Sequence, residues 1–151
     1  MILPAFTVGM GRSIQIVLDN GQVLDTIVNE ISQPLSHMGV YGAGVFLALM
    51  HTAINFFIPS GSGQAATMMP IMFPVGDMIG LTRQCSVLAF QIGDGFSNLI
   101  VPTSGALIAM CGLARVPFDK WFRFAVKLVA VLTVIGIGFL MFTISINWGP
   151  F

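Results

Sequence analysis

The sequence predicts an all-α membrane protein in which an interfacial helix, a re-entrant helical hairpin, a broken transmembrane helix and a C-terminal span follow one another. Three observations carry this. The 151-residue chain is 56% hydrophobic and only 8% charged, far below the roughly 25% of an average soluble domain. Residues 128–146 run for 19 positions without a formal charge, about the length that crosses a bilayer. Two clusters of small and polar residues, 59–64 and 97–105, interrupt apolar stretches beside prolines.

Composition excludes several function classes. Six basic and six acidic side chains cancel, so nothing suggests nucleic acid or an acidic partner. Cys85 and Cys111 lie in apolar surroundings without CxxC spacing, which speaks against a disulfide framework or a zinc site. The N-terminus has no basic n-region and no obvious small-residue cleavage site, so no cleavable signal peptide is expected.

In chain order, residues 2–18 are apolar but carry Arg12, a marginal span. Asp19, Asn20 and Gly21 end it with turn chemistry. From 22 to 36 apolar residues recur at Val23, Ile27, Ile31 and Leu35, with Asp25, Asn29, Glu30 and Gln33 on the other side. That pattern suits a helix lying along the interface, and a solvent-facing connector fits the periodicity equally well.

Residues 38–58 carry no formal charge over 21 positions, long enough to cross. Gly39, Ala43, Gly44 and Ala48 offer close packing to another helix. Pro59 and the run Ser60, Gly61, Ser62, Gly63, Gln64 then make a tight turn. The returning arm, 65–76, is 12 residues long and holds Pro70 and Pro74. Twelve helical residues reach roughly 18 Å, well short of a bilayer core of about 30 Å. A re-entrant hairpin with its tip near mid-membrane accounts for so short an arm. Residues 77–83 return to the surface.

The apolar run 85–114 has Asp94 as its one acidic side chain. An ionisable residue at membrane depth is costly unless it serves an ion, a proton or a substrate; the bland reading makes Asp94 a partner of Arg12 or Arg83. On a helix Gln91, Asp94 and Asn98 share a face. Pro102 removes a backbone donor and breaks the helix, leaving Thr103 and Ser104 in unwound chain. Such chain is tolerated at depth only when buried or lining a watery cavity. Residues 113–118 read as a loop and 128–146 as the last span, with Trp121 and Trp148 near its ends as interface anchors.

Basic residues set the orientation. Arg83 stands beside Asp19, Asp25, Glu30 and Asp77 on one side, against Arg115, Lys120, Arg123 and Lys127 on the other. The Arg115 loop is therefore placed in the cytoplasm and the C-terminus outside.

Two sites emerge, the hairpin tip at Ser60, Gly61, Ser62, Gly63 and Gln64, and the break at Ser97, Asn98, Thr103 and Ser104, with Asp94 between. Both offer the hard oxygen ligands a small cation prefers and half-helix N-termini that favour a carboxylate. Discontinuous helices meeting at mid-membrane are the usual construction of secondary transporters. Thr52, Thr67, Thr133 and Ser145 read as packing glue, His51 as a satisfied packing histidine, and the methionines as lipid-facing or packing. Gly61, Ser62 and Gly63 are no phosphate loop, because the lysine and preceding strand are missing. No metal cluster and no set of nucleophile, base and orienter is recognisable, so an enzyme is not expected.

The segments FFIPSGSGQAATMMPIM, FQIGDGFSNLIVPTSGAL and GMGRSIQIVLDNGQVLDTI resemble the C-terminal part of the YfcC-type transporters, in the four-carbon dicarboxylate carrier group of the ion transporter superfamily. The Gly93-Asp94 and Ser97-Asn98 pattern before Pro102 is also similar to the aminobenzoyl-glutamate transporters. The resemblance implies an inverted-repeat fold, each half holding an interfacial helix, a re-entrant hairpin, a broken helix and a last span. It implies that substrate and coupling ion meet at Ser60, Ser62, Gln64, Ser97, Asn98, Thr103 and Ser104. The chain is expected to be one membrane domain, 1–151, equivalent to the C-terminal repeat without the upstream one. The implied function is secondary active transport of a small carboxylate or amino acid across the bacterial inner membrane, coupled to sodium or a proton, with no further cofactor. The complete transporter is expected to be a homodimer. A non-transporting subunit that only assembles with a partner half is the alternative.

Overall fold

The computed structural model describes residues 37–149 together with Asn20, Gly21, Glu30, Gln33 and Leu35. The expected first span and most of the interfacial helix lie outside the described residues. Of the latter, Glu30, Gln33 and Leu35 are helical, with the two polar positions exposed and Leu35 buried.

Five helices follow: α1 Gly39–Asn55, α2 Gly61–Ile79, α3 Arg83–Ser97, α4 Gly105–Leu113 and α5 Phe118–Ser145. No strand occurs among the described residues. Among the described residues only α5, 28 residues with a mean hydropathy of 2.4 in its most apolar window, is both long and apolar enough to cross a membrane.

The α2 arm corrects the sequence reading. It runs 19 residues rather than 12, roughly 28 Å, so shortness no longer argues for a re-entrant tip. The glycine-rich segment joins the helix because the Ser60 hydroxyl accepts from the Gly63 N–H and caps the first turn. Pro70 and Pro74 sit inside the helix, four apart, each removing one ladder bond without ending it. Gly80 ends α2 in the left-handed region (φ 77°), and the Leu81 N–H closes the turn on the Gly76 carbonyl at 2.8 Å.

The helix break stands where Pro102 predicts it. α3 ends at Ser97, α4 begins at Gly105, and the chain between is unwound. The last helix starts ten residues before 128, so the basic flank Lys120, Arg123 and Lys127 is its first three turns rather than a lead-in.

Helix α1 packs most extensively on α3, and α3 packs in turn on α5 and α2. Their shared core includes Ala43, Leu47 and Ala48 of α1, Met72 and Val75 of α2, Cys85, Ala89 and Ile92 of α3, and Leu140 and Ile144 of α5. Ala43, Gly44 and Ala48 are buried as the small-residue pattern requires. Gly39 is not part of that contact: it is exposed, and its φ is 69°.

Candidate substrate and ion site

Where α1 crosses α3, Gly93 lets the two backbones touch. A Cβ there would overlap the Ala48 carbonyl and stand 2.7 Å from His51 Cβ and 3.0 Å from the Thr52 nitrogen. Close approach brings polar groups within reach. The Thr52 hydroxyl donates to the Gly93 carbonyl at 3.3 Å as well as to Ala48 in its own helix. Asn55 Nδ2 donates to the Asp94 carbonyl (3.2 Å) and to Ser97 Oγ (2.7 Å). Ser97 in turn donates to the carbonyl of Gly93.

The start of α2 closes onto the same place. Asp94 Oδ2 would lie 2.8 Å from a Cβ on Gly61, so the carboxyl group rests against the first turn of α2. Negative charge is favoured at that end of a helix. Its other oxygen, Oδ1, accepts from Asn98 Nδ2 at 3.3 Å. Arg83 does not pair with Asp94; it bridges Asp77 at the surface (3.1 Å). From the break, the Thr103 hydroxyl donates to the Phe56 carbonyl at 2.8 Å, tying unwound chain to the end of α1.

The two clusters singled out in the sequence are thus one place. Gly61 of the tip meets Asp94, which Asn98 bonds directly and Asn55 links to Ser97, while Thr103 reaches the end of α1 at Phe56. Ser60 and Gly63 form the α2 cap. Gln64 is fully buried, and its Nε2 donates to the His51 carbonyl (3.0 Å) and lies 3.3 Å from His51 Nδ1. Ser62 is exposed, Ser104 is buried, and neither hydroxyl makes a hydrogen bond among the described residues. Gln91 is exposed, whereas Asp94 is buried.

His51 and Thr52, which the sequence reads as packing residues, belong to the site, and so does Asn55. The signal was the spacing of His51 and Asn55, four apart on one face. His51 also meets Phe90 edge-on, ring centroids 5.2 Å apart.

The donor and acceptor balance is uneven. Asn55 Oδ1 and Gln64 Oε1 are buried and have no hydrogen-bond partner among the described residues. Each amide turns its nitrogen toward a backbone carbonyl, which fixes its oxygen as the unpaired end. A buried acceptor without a donor costs about 1–3 kcal/mol, so these oxygens are poised for a cation or an N–H-bearing group. Among the described residues no group of three or more His, Cys, Asp or Glu gathers to hold a metal; a hard ion here would meet amide, hydroxyl and carbonyl oxygens. A complementary end exists at α4, whose N-cap Ser104 makes no side-chain cap bond. Its first N–H groups are left for an anion.

The model of the DcuC family, C4-dicarboxylate anaerobic carriers, matches residues 1–145. A protein of Escherichia coli (strain K12) named "Putative basic amino acid antiporter YfcC" is 43% identical over 139 residues, which is 89% of this chain and 28% of that protein. A Haemophilus influenzae protein, named only "Uncharacterized protein", is 29% identical over 141 residues, 92% of this chain and 27% of its own length. The chain therefore spans a little over a quarter of the curated relatives it matches. No solved structure matches it.

Proposed function

The chain belongs to the DcuC family of C4-dicarboxylate anaerobic carriers, and on that premise we propose that it belongs to the C-terminal half of a secondary active transporter. The family points to a membrane carrier rather than an enzyme. The cargo we propose is a small carboxylate or amino acid, coupled to sodium or a proton and moved across the bacterial inner membrane by a multi-pass protein that works as a homodimer.

One observation carries the reading: the Asp94 carboxyl group, in the apolar run before the break, rests against the first turn of α2. Asp94, Asn55 Oδ1 and Gln64 Oε1 are all acceptors and suit a cation, either the coupling ion or the ammonium group of an amino acid. The uncapped start of α4 suits the carboxylate of the cargo. Ser60, Ser62, Ser97, Asn98, Thr103 and Ser104 supply the surrounding hydroxyl and amide groups.

The length of the neighbouring helix supports a re-entrant position for the tip. α3 covers 15 residues from Arg83, which is exposed, to Ser97. That is roughly 22 Å, less than a bilayer core of about 30 Å. The break then lies short of the far side, and the tip tied to it lies at the same depth.

The matched relatives are several times longer than this chain, and a fold of paired halves needs both. The chain completed by an upstream half should concentrate labelled succinate or arginine in proteoliposomes driven by a sodium or proton gradient. Asp94→Asn should abolish accumulation and leave the helical signal intact. Uphill uptake by that variant removes Asp94 from the mechanism. The chain alone should transport nothing, and robust uptake by it would overturn the half-transporter reading in favour of a complete one.

A further inference from the structure

A groove of about 340 Å³ opens between α4 and the start of α5, lined among others by Leu99, Leu107, Cys111, Val116 and Trp121. Its volume falls within the range of small-ligand sites, roughly 300–1,000 Å³. The wall is apolar throughout. Even the Trp121 Nε1–H is occupied, donating to the Leu99 carbonyl at 2.9 Å. That bond fixes the indole as a wall and leaves a hydrocarbon as the fitting occupant.

Basic residues adjoin the lining in sequence. Arg115 lies between the lining residues Ala114 and Val116, and Lys120 precedes Trp121. Arg123 and Lys127 follow on α5, and Asp119 is the one acidic residue in this stretch. All four basic side chains are exposed, and among the described residues none of them forms a salt bridge. Arg115 is also held in an unusual place. It takes the left-handed position after α4 (φ 54°), in a turn closed by the Val116 N–H on the Cys111 carbonyl at 3.0 Å. Glycine is the usual residue there, so an arginine holds the turn beside the groove against conformational preference.

We propose that this groove binds one anionic phospholipid, its acyl chain along Leu107 and Trp121 and its phosphate between Arg115 and Lys120. The site is separate from the Asp94 site, and the proposal rests on the membrane reading alone. Basic pockets at the cytoplasmic ends of helices suit anionic headgroups, and tryptophan favours the interface.

The test uses the whole chain in lipid nanodiscs with Trp148→Phe, which leaves Trp121 as the one tryptophan. Lipids brominated on the acyl chain quench an indole they touch. Brominated phosphatidylglycerol should quench Trp121 at about tenfold lower mole fraction than brominated phosphatidylcholine. Arg115→Gln with Lys120→Gln should remove the preference. Arg123→Gln with Lys127→Gln, which changes net charge equally, should leave it. Equal quenching by the two lipids, or equal loss in both double variants, would reduce the effect to general surface charge and overturn the proposal. Quenching by neither lipid would show the groove filled by protein and overturn it too. The four substitutions are at exposed positions, and circular dichroism checks that each variant keeps its helices.

Discussion

The two crossings of α3 are built in opposite ways. Against α1 it meets backbone with backbone, through Gly93, and three hydrogen bonds pass between the helices. Against α5 the glycine lies on the other helix. A Cβ on Gly136 would meet only side-chain atoms, Phe96 at 3.0 Å and Ile92 at 3.2 Å. The polar links between α3 and the last helix come beyond that helix, where the Thr82 hydroxyl donates to the Trp148 carbonyl at 2.8 Å. Apolar association gains little inside lipid, so a helix pair is held there by close packing and hydrogen bonds. The α1 crossing uses both and gathers them at the proposed site; the α5 crossing uses packing and serves as scaffold.

Gly93→Ala tests the contrast most harshly. The new methyl group has α1 backbone to displace, and overpacking of this kind costs about 3 kcal/mol, read as earlier unfolding when mixed micelles are titrated with denaturing detergent. Unchanged stability would mean that α1 and α3 do not touch through backbone. Asn55→Ala comes next. It removes two buried hydrogen bonds, with an expected cost of about 1–2 kcal/mol, and it removes an unpaired oxygen as well. A stabilised variant would show that the orphaned Oδ1 outweighs the bonds made by Nδ2, and would strengthen its assignment to a ligand. Gly136→Ala should cost about 1 kcal/mol or less, because the side chains it meets can shift. Gly138 has open space around its missing Cβ. Gly138→Ala should be neutral or stabilise by about 0.5–1 kcal/mol through helix propensity. If Gly136→Ala proved costlier than Gly93→Ala, the assignment of close and loose crossings would be reversed.

The break and the last helix were legible because single residues decide them locally: Pro102 cannot continue a ladder, and an uncharged run from 128 has nowhere polar to go. The extent of α2 was not legible. Gly61, Ser62 and Gly63 read as a turn by composition, and only the Ser60 cap, a matter of geometry, makes them a first helical turn. Asp94 stood out because a lone charge in an apolar run is conspicuous. His51, Thr52 and Asn55 did not, because a neutral polar residue gains its meaning from what lies across the crossing. No local pattern records that Gly93 will be opposite Thr52. The amphipathic pattern from 22 to 36 lies mostly outside the described residues.

The account turns on the tip of the hairpin and the break of α3 forming one water-reached site partway through the membrane. Ser62→Cys, placed in a chain with Cys85→Ala and Cys111→Ala and completed by an upstream half, tests it directly with a charged, hydrophilic thiol reagent. Labelling requires the thiolate, and so requires water. Ser62→Cys should react, succinate or arginine with sodium should slow it, and Met69→Cys and Phe73→Cys further along α2 should react at least about tenfold more slowly. Reaction of Ser62→Cys only from the cytoplasm, at the rate of a free thiol in bulk water and untouched by either compound, would contradict the account and make the hairpin two plain spans joined by an exposed turn.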